Sequence, residues 1–201
     1  MEHIKYGVVE IVEDILSIKT CNKTFTQDNN NTINNTITDS ICIRKEYLYN
    51  LNLNDEFFNT LRQDYFEFDK WFSKKQLEER VAYITVTSQN KLSSFLMLKE
   101  ENEQENYSDF EIPLLPAKRL KISTFKVSDT GKKIGEYFIK IIFDEAINSG
   151  IREIYVTTFE NQKSLIYLLK KYGFKFFCYR DTKKGNGSIE KEAVYIKNLL
   201  N

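Results

Sequence analysis

A short segment near the middle of the chain combines glycines, lysines and hydroxyl side chains in an order that suits anion binding. It runs from Val127 to Glu136 and reads VSDTGKKIGE. The preceding residues 120–126 predict a buried strand, and the apolar residues 137–143 that follow predict a helix. The first N–H groups of a helix lack intrahelical partners and carry partial positive charge, and glycine lets the backbone approach a phosphate closely. The segment therefore predicts a loop that holds the pyrophosphate of a cofactor.

Composition argues against several other kinds of site. The chain has 29 Lys+Arg and 29 Asp+Glu, and this zero net charge argues against nucleic-acid binding driven by a general basic field. His3 is the only histidine, which excludes His-based catalytic triads and His-rich metal sites. The three cysteines lie far apart without metal-ligand spacing and predict a reduced, cytoplasmic protein with no bound metal. We expect no secretion signal, because the N-terminus lacks a basic start and a long apolar stretch. We also expect no membrane span, because no apolar run approaches the roughly 20 residues that a span needs.

The sequence predicts an N-terminal extension, residues 1–38, and a main domain, residues 39–201. Apolar residues between Val8 and Leu16 recur at helical spacing and predict an amphipathic helix, with a strand just before it as an alternative. The Asn-rich residues 27–36 have little to bury and predict a linker. We expect the extension either to cover an apolar patch of the main domain or to serve as an arm that binds a partner. The partner could be a second copy of the chain, which would give a homodimer.

The main domain predicts a mixed α/β sheet with helices on both faces. Its order is strand, two helices, three strands, helix, strand, helix, two strands, and residues 120–159 predict a right-handed parallel crossover. Asn54 is the predicted cap of the first helix, and Gly150 is the predicted left-handed residue after the helix at 134–148. The acidic stretch from Glu100 to Glu111 predicts a solvated loop, and residues 181–192 predict a mobile hairpin loop.

The element order and the glycine-lysine loop resemble the GNAT superfamily of N-acyltransferases. The loop signature of that family is Gln or Arg, two residues, Gly, any residue, then Gly or Ala. The matching window begins at Thr130 and ends at Gly135, whose glycine and preceding isoleucine fit. Thr130 stands in place of Gln or Arg, and Lys133 stands in place of the middle glycine. A lysine there costs nothing sterically if the residue keeps helical φ and ψ.

The second half of the resemblance lies after the loop. The strand IYVTTF at 154–159, Asn161 at the start of the next helix, and the pair Gly173-Phe174 before an aromatic strand are similar to the family pattern. The resemblance covers about residues 40–200. It implies a GNAT-like fold and acetyl-CoA as the acyl donor.

The resemblance also implies which residues hold acetyl-CoA. The backbone of β-strand residues 125–127 would pair with the pantetheine arm, the N–H groups of the loop would bind the pyrophosphate, and Asn161 would reach the pantetheine. The other interpretations are close helix–strand packing for Gly135, solvated side chains for Lys132 and Lys133, and a helix cap for Asn161. The implied cofactor-binding set is Phe125, Lys126, Val127, Thr130, Gly131, Lys132, Lys133, Ile134, Gly135 and Asn161.

The catalytic residues of the family are not all matched. Its proton-donating tyrosine lies about four residues before the glycine of the Gly-Phe pair, where this chain has Leu169. Tyr167 and Tyr172 are close in sequence, and Tyr172 is the predicted donor because a spacing of three places it on a similar helix face. The strand before the loop has no carboxylate at residues 122–124, and Glu160 is the predicted base, with Asp129 as an alternative, by proximity alone.

The resemblance implies an acetyl-CoA-dependent N-acetyltransferase that acts on a primary amine by direct transfer, without a covalent enzyme intermediate. The acceptor could be a small molecule, a peptide or an aminoacyl group, bound between the aromatic helices at 57–71 and the hairpin at 181–192. Because the catalytic match is incomplete, a non-catalytic CoA-binding sensor or protein-interaction module is the alternative. A toxin that acetylates charged tRNA is a third option, resting on the local lysines Lys170, Lys171, Lys175, Lys183 and Lys184.

Overall fold

The computed structural model describes residues 42–129 and 131–199. The predicted N-terminal extension and Thr130 lie outside the described residues. The strands are β1 (Arg44–Tyr47), β2 (Val81–Val86), β3 (Leu92–Glu101), β4 (Arg119–Val127), β5 (Glu153–Thr158), β6 (Lys175–Lys183) and β7 (Ile189–Asn198). The helices are α1 (Asn59–Asp64), α2 (Phe68–Leu77), α3 (Ile134–Asn148) and α4 (Lys163–Lys171), with short 3-10 turns at Leu48–Asn50 and Glu56–Phe58. None of the helices described is both long and apolar enough to span a membrane.

The described strands form one seven-stranded sheet in the order β1-β2-β3-β4-β5-β7-β6. Every neighbouring pair is antiparallel except β4 and β5, which are parallel and are connected through α3. The predicted order of elements and the predicted parallel crossover are therefore confirmed. A parallel pair needs a long connection, and α3 supplies it.

Of three apolar cores in the described residues, the two largest lie on the two faces of this sheet. Alternate residues of a strand point to opposite faces, and β3 shows this with Leu96 on one side and Phe95 and Met97 on the other. The first core holds Leu96 with the buried faces of α3 and α4, including Phe138 and Leu169. The second core holds Phe95 and Met97 with Leu61 of α1, the phenylalanines of the 3-10 turn before it and those of α2. The mixed sheet with helices on both faces is thus confirmed.

One prediction about the ends of the helices is confirmed, and two are wrong. Helix α3 has the predicted limits, and Gly150 after it has a φ of 65°, the left-handed conformation expected of a C-terminal glycine. Asp55 caps the first helical turn instead of Asn54, because its carboxylate accepts the Phe57 N–H at 2.8 Å. Asn161 does not cap α4, whose cap position is Gln162 and has no side-chain cap hydrogen bond.

The hairpin predicted to be mobile is docked against α1. Strands β6 and β7 extend to Lys183 and Ile189, so only a short turn connects them. The Gly185 N–H donates to the Gln63 carbonyl oxygen at 3.1 Å, and the Phe66 N–H donates to the Lys183 carbonyl oxygen at 3.0 Å. The end of β6 and the turn itself are therefore held to α1 and to the residues that follow it.

The acidic stretch that begins at the end of β3 also differs from its prediction, because Glu101, the last residue of β3, is only 3% exposed. Its carboxylate accepts hydrogen bonds from the Tyr155 hydroxyl at 2.7 Å, the Tyr107 hydroxyl at 2.9 Å and the Lys99 ammonium at 3.1 Å. Burying a carboxylate is costly unless charged and hydrogen-bonding partners surround it, and these three groups supply that compensation.

Candidate functional site

The candidate site begins where β4 and β5 separate. Within the described residues, their pairing runs from Arg119 with Glu153 to Ile122 with Val156 and ends there, although β4 continues to Val127. The pairing of β3 with β4 shifts by one residue at the same level, which makes Ser123 an extra residue on β4. Such a bulge bends and twists a strand. Beyond this level, residues 123–127 of β4 have no strand partner on the side that faces β5, although β4 lies in the middle of the sheet.

A cavity of about 520 Å³ occupies the opening between the two strands. Its walls come from five segments of the chain, and both sides of the strand opening contribute. They are residues 122–127 of β4, residues 156–159 at the end of β5, the loop and first turn of α3, the inner face of α4, and the end of α1 with Tyr65. The cavity thus joins the predicted phosphate loop at one end to α1 at the other.

Seven of the ten predicted cofactor-binding residues line this cavity: Phe125, Lys126, Val127, Gly131, Lys133, Ile134 and Gly135. Lys132 and Asn161 are not among the lining residues, and Gln162 lines the cavity at the start of α4. Thr130 lies outside the described residues. The structure therefore brings together the strand and the loop that the sequence singled out, while the binding role of each residue stays a prediction.

Lys133 has a backbone conformation that the sequence did not reveal. Its φ of 53° and ψ of 19° are left-handed, so the condition that this residue keeps helical angles is not met. The left-handed region costs an ordinary L-residue roughly 1–2 kcal/mol, whereas glycine occupies it freely. Gly131, with a φ of 90°, also needs this freedom. The loop keeps a glycine-like path at position 133 even though the residue is lysine.

The charges of the loop are partly neutralised within the protein. The Lys132 ammonium lies 3.1 Å from the Asp129 carboxylate, and the Glu136 carboxylate lies 2.7 Å from the Lys171 ammonium. Of the two loop lysines, Lys133 is the one that lines the cavity. The first N–H groups of α3 add the partial positive charge of a helix start. Backbone N–H groups and Lys133 together make this end of the cavity suitable for an anion.

Gly135 sits where α3 approaches α4 closely. A Cβ atom added to it would lie 2.9 Å from Cδ2 of Leu168 and 3.8 Å from Cζ of Phe125. Both neighbours line the cavity together with Gly135. The glycine therefore permits close packing, as the alternative interpretation held, and it does so at the wall of the cavity.

No family model and no curated protein matches the chain. Solved structures do. Arabidopsis thaliana NAA60 in complex with acetyl-CoA is 17% identical, with 80% of this chain and 99% of that chain covered and a TM-score of 0.60. A GNAT superfamily phosphinothricin acetyltransferase from Sinorhizobium meliloti in complex with AcCoA is 13% identical, covering 79% and 88% at a TM-score of 0.56. An N-acetyltransferase from Staphylococcus aureus is 18% identical, covering 79% and 98% at a TM-score of 0.57.

The chain shares the fold of these acetyltransferases, one of which belongs to the GNAT superfamily. At these identities the comparison establishes the fold, which the sequence resemblance predicted. The similarity covers 80% of the chain in the case of NAA60, so it includes most of the described residues.

Of the two tyrosines in and directly after α4, the one that lines the cavity is not the predicted proton donor. Leu169, at the position of the family's proton donor, is fully buried in the core. Tyr172 is half-buried and is not among the residues that line the cavity. Burial and the neighbouring Glu136 raise the pKa of Tyr172. Tyr167 is the tyrosine of this helix that lines the cavity, and it is 73% exposed.

Glu160 follows β5 on the surface and is not among the lining residues either. Its carboxylate accepts a hydrogen bond from the Tyr179 hydroxyl at 2.6 Å. The catalytic roles of Tyr172 and Glu160 therefore stay predictions that proximity in sequence motivated and that the lining of the cavity does not support.

Two ammonium groups lie near the α1 end of the cavity, that of Lys126, which lines it, and that of Lys184, which is not among the lining residues. The Lys126 ammonium donates to the Thr60 hydroxyl at 2.7 Å and to the Phe57 carbonyl, and burial lowers its pKa. The Lys184 ammonium lies 2.7 Å from the Asp64 carboxylate and 3.9 Å from the ring centre of Phe159. Carboxylates and aromatic faces attract cations, and here they hold the protein's own Lys184 ammonium.

Sequence reasoning missed one polar pair at this end. The Tyr65 hydroxyl donates to the Glu192 carboxylate at 2.9 Å, although 127 positions separate the two residues. The sequence placed Tyr65 on a helix face and Glu192 at the boundary of a loop. The absence of a carboxylate on β4 was the available signal that a base would have to come from another element.

Proposed function

We propose that the chain is an acetyl-CoA-dependent N-acetyltransferase that transfers an acetyl group directly to a primary amine. The separation of β4 from β5 beyond Ile122 and Val156 is the observation that carries this proposal. It leaves strand backbone unpaired along one side of a cavity that ends at the N-terminus of α3. An extended pantetheine arm needs unpaired strand backbone beside it, and the pyrophosphate at the end of that arm needs a helix N-terminus.

The chain offers partners for each part of acetyl-CoA. The backbone of residues 123–127 can hydrogen-bond an extended amide-containing arm as an added strand would. The N–H groups between Gly131 and Gly135 and the Lys133 ammonium can hold the pyrophosphate. Two of the solved structures with this fold, NAA60 and the Sinorhizobium meliloti protein, contain acetyl-CoA, which supports the same donor here.

Direct transfer is the mechanism that these residues support. Neither of the two described cysteines, Cys42 and Cys178, is among the residues that line the cavity, and a thiol would be the usual covalent acyl carrier. Holding an amine against a thioester in a fixed geometry can itself lower a barrier by roughly 7–11 kcal/mol. The chain therefore needs to position the two substrates and to manage protons.

The acceptor side supports an amine. Asp64 and Phe159 line the cavity and now contact the Lys184 ammonium, and they would be the partners of an acceptor amine that takes the place of Lys184. Small molecules, peptides with a free N-terminus and aminoacyl groups all carry such an amine. The predicted cytoplasmic location and a homodimer through the N-terminal extension stay predictions.

Mass spectrometry of reaction products tests the proposal. The purified chain is incubated with acetyl-CoA and, separately, with alkyl amines, polyamines, peptides with free N-termini and aminoacyl-tRNA. We expect at least one acetylated amine together with an equal amount of free CoA. Binding of acetyl-CoA without any product would favour the alternative, a CoA-binding sensor. Absence of both binding and product would reject a role for acetyl-CoA.

A further inference from the structure

Glu192 is a buried carboxylate that reaches the cavity through one tyrosine. The residue lies on β7 and is 1% exposed. Its carboxylate accepts hydrogen bonds from the Thr182 hydroxyl at 2.6 Å and the Tyr65 hydroxyl at 2.9 Å, and Nε of Arg180 lies 3.4 Å away. A buried carboxylate is costly to retain, and polar networks of this kind are conspicuous where a protein needs a proton acceptor.

Tyr65 connects this carboxylate to the acceptor end of the cavity. Tyr65 lines the cavity, and so does Phe159. The centres of their two rings lie 5.7 Å apart. Glu192 itself is not among the lining residues. A proton could therefore move from the cavity to Glu192 across the Tyr65 hydroxyl.

We propose that Tyr65 and Glu192 form the proton relay that deprotonates the acceptor ammonium. Tyr65 is the catalytic residue that touches the amine, and Glu192 acts through it. This inference rests on the proposed acetyl transfer and assigns that reaction a base that the sequence did not provide.

The protons balance in two steps. The ammonium gives one proton to the Tyr65 oxygen while the Tyr65 hydroxyl proton passes to Glu192, which leaves a neutral amine and a neutral carboxylic acid. The amine then attacks the thioester carbonyl carbon, a C–N bond forms and the C–S bond breaks. The second amine proton ends on the CoA sulfur, and Glu192 returns its proton to water after the products leave.

The surroundings keep the Tyr65 hydroxyl protonated, so that it passes protons on and does not act as a charged base. Burial first, and then the charge and hydrogen bond of Glu192, raise the pKa of Tyr65 well above its ordinary value. Asp64 also raises this pKa, and Arg180 lowers it. Lys121 is a further cation that interacts electrostatically with Glu192 from β4. These are the charged groups that face the relay from α1, β4 and β6.

Two conservative variants interrupt the relay at different atoms. Tyr65→Phe keeps the ring and removes the hydroxyl, whereas Glu192→Gln keeps a hydrogen-bond acceptor and removes the proton acceptor. The matched control is Tyr107→Phe, because the Tyr107 hydroxyl also donates at 2.9 Å to a buried carboxylate, that of Glu101, and Tyr107 is not among the lining residues.

Steady-state kinetics with an alkyl amine acceptor, from pH 6 to 10, test the relay. General base catalysis contributes roughly 10²-fold or more, so kcat/KM at pH 7 should fall by about that factor in both relay variants, and the double variant should be no worse than the poorer single variant. Acetyl-CoA affinity and the Tyr107→Phe rate should stay within about twofold of wild type. Raising the pH towards the amine pKa, about 10.4 for a lysine-like amine, should rescue Tyr65→Phe because the amine then loses its proton to water.

The failures of the two proposals are distinguishable. Turnover by the wild-type chain tests the acetyl transfer, and the ratio of variant to wild-type rates tests the relay. The relay is overturned if Tyr65→Phe keeps a rate within about threefold of wild type, or if its loss is the same at every pH. A loss that Tyr107→Phe shares would likewise overturn it, because it would report packing alone.

Discussion

The left-handed conformation of Lys133 can be tested by the order of stability of two substitutions. Lys133→Ala and Lys133→Gly both remove the side-chain charge, so they differ only in backbone preference. With a φ of 53°, an alanine pays roughly 1–2 kcal/mol for the left-handed region. A glycine avoids that cost but loses roughly 0.5–1 kcal/mol more conformational entropy on folding. The glycine variant should therefore be the more stable by about 0.5–1 kcal/mol.

Chemical denaturation measures this difference in the free energy of unfolding. Midpoints in urea are compared at equal slope, because extrapolated free energies carry larger errors than midpoints. The same pair of substitutions at Lys140, in the middle of α3, is the control. There the helix is right-handed, and alanine should be the more stable by about 1 kcal/mol. A variant Lys133→Ala as stable as Lys133→Gly would refute the left-handed assignment and support the helical angles that the sequence allowed.

Three further predictions concern other parts of the fold. Gly185→Ala should destabilise the chain by about 1–3 kcal/mol, because the new Cβ would lie 2.1 Å from the Arg62 carbonyl oxygen, and an unchanged thermal midpoint would contradict this contact. Burial pushes the pKa of Glu101 upward, but hydrogen bonds and nearby lysines outweigh it and hold the pKa below its ordinary value of 4.5. A depressed pKa adds stability above 4.5 that is lost as the pH falls through the folded-state pKa, so Glu101→Gln should cost about 1.5–3 kcal/mol at pH 7 and less in acid, as denaturation at several pH values would show. Tyr167→Phe should lower kcat more than Tyr172→Phe because Tyr167 lines the cavity, and the reverse order would support the donor predicted from sequence.

Local sequence patterns were sufficient to predict the helices and strands. They were not sufficient to predict the opening between β4 and β5. The limits of α3 follow from the apolar spacing within the helix and from the glycine after it, which are properties of neighbouring residues. The opening depends on Ser123 being extra in the register of β4 against β3. Register is decided by pairing between distant strands, so the residues around Ser123 alone could not reveal it.

The same reason explains the misjudged polar residues. Glu101 and Glu192 look like ordinary surface acids in sequence, and their burial depends on tyrosines that other elements supply. Asp55 and Asn54 are both good caps, and only the path of the chain decides which one faces the Phe57 N–H. Charge and burial of a polar side chain are thus set by tertiary contacts, whereas helix and strand periods are set locally.

The measurement that tests the central claim most directly is a calorimetric titration of the chain with acetyl-CoA. The opening between β4 and β5, with the N-terminus of α3 at its end, predicts one saturable site per chain with an affinity in the range of roughly 1 μM to 1 mM. Free CoA should compete for the same site, because the pantetheine and pyrophosphate contacts are common to both. A folded chain that gives no binding heat at millimolar acetyl-CoA would contradict the assignment of this cavity.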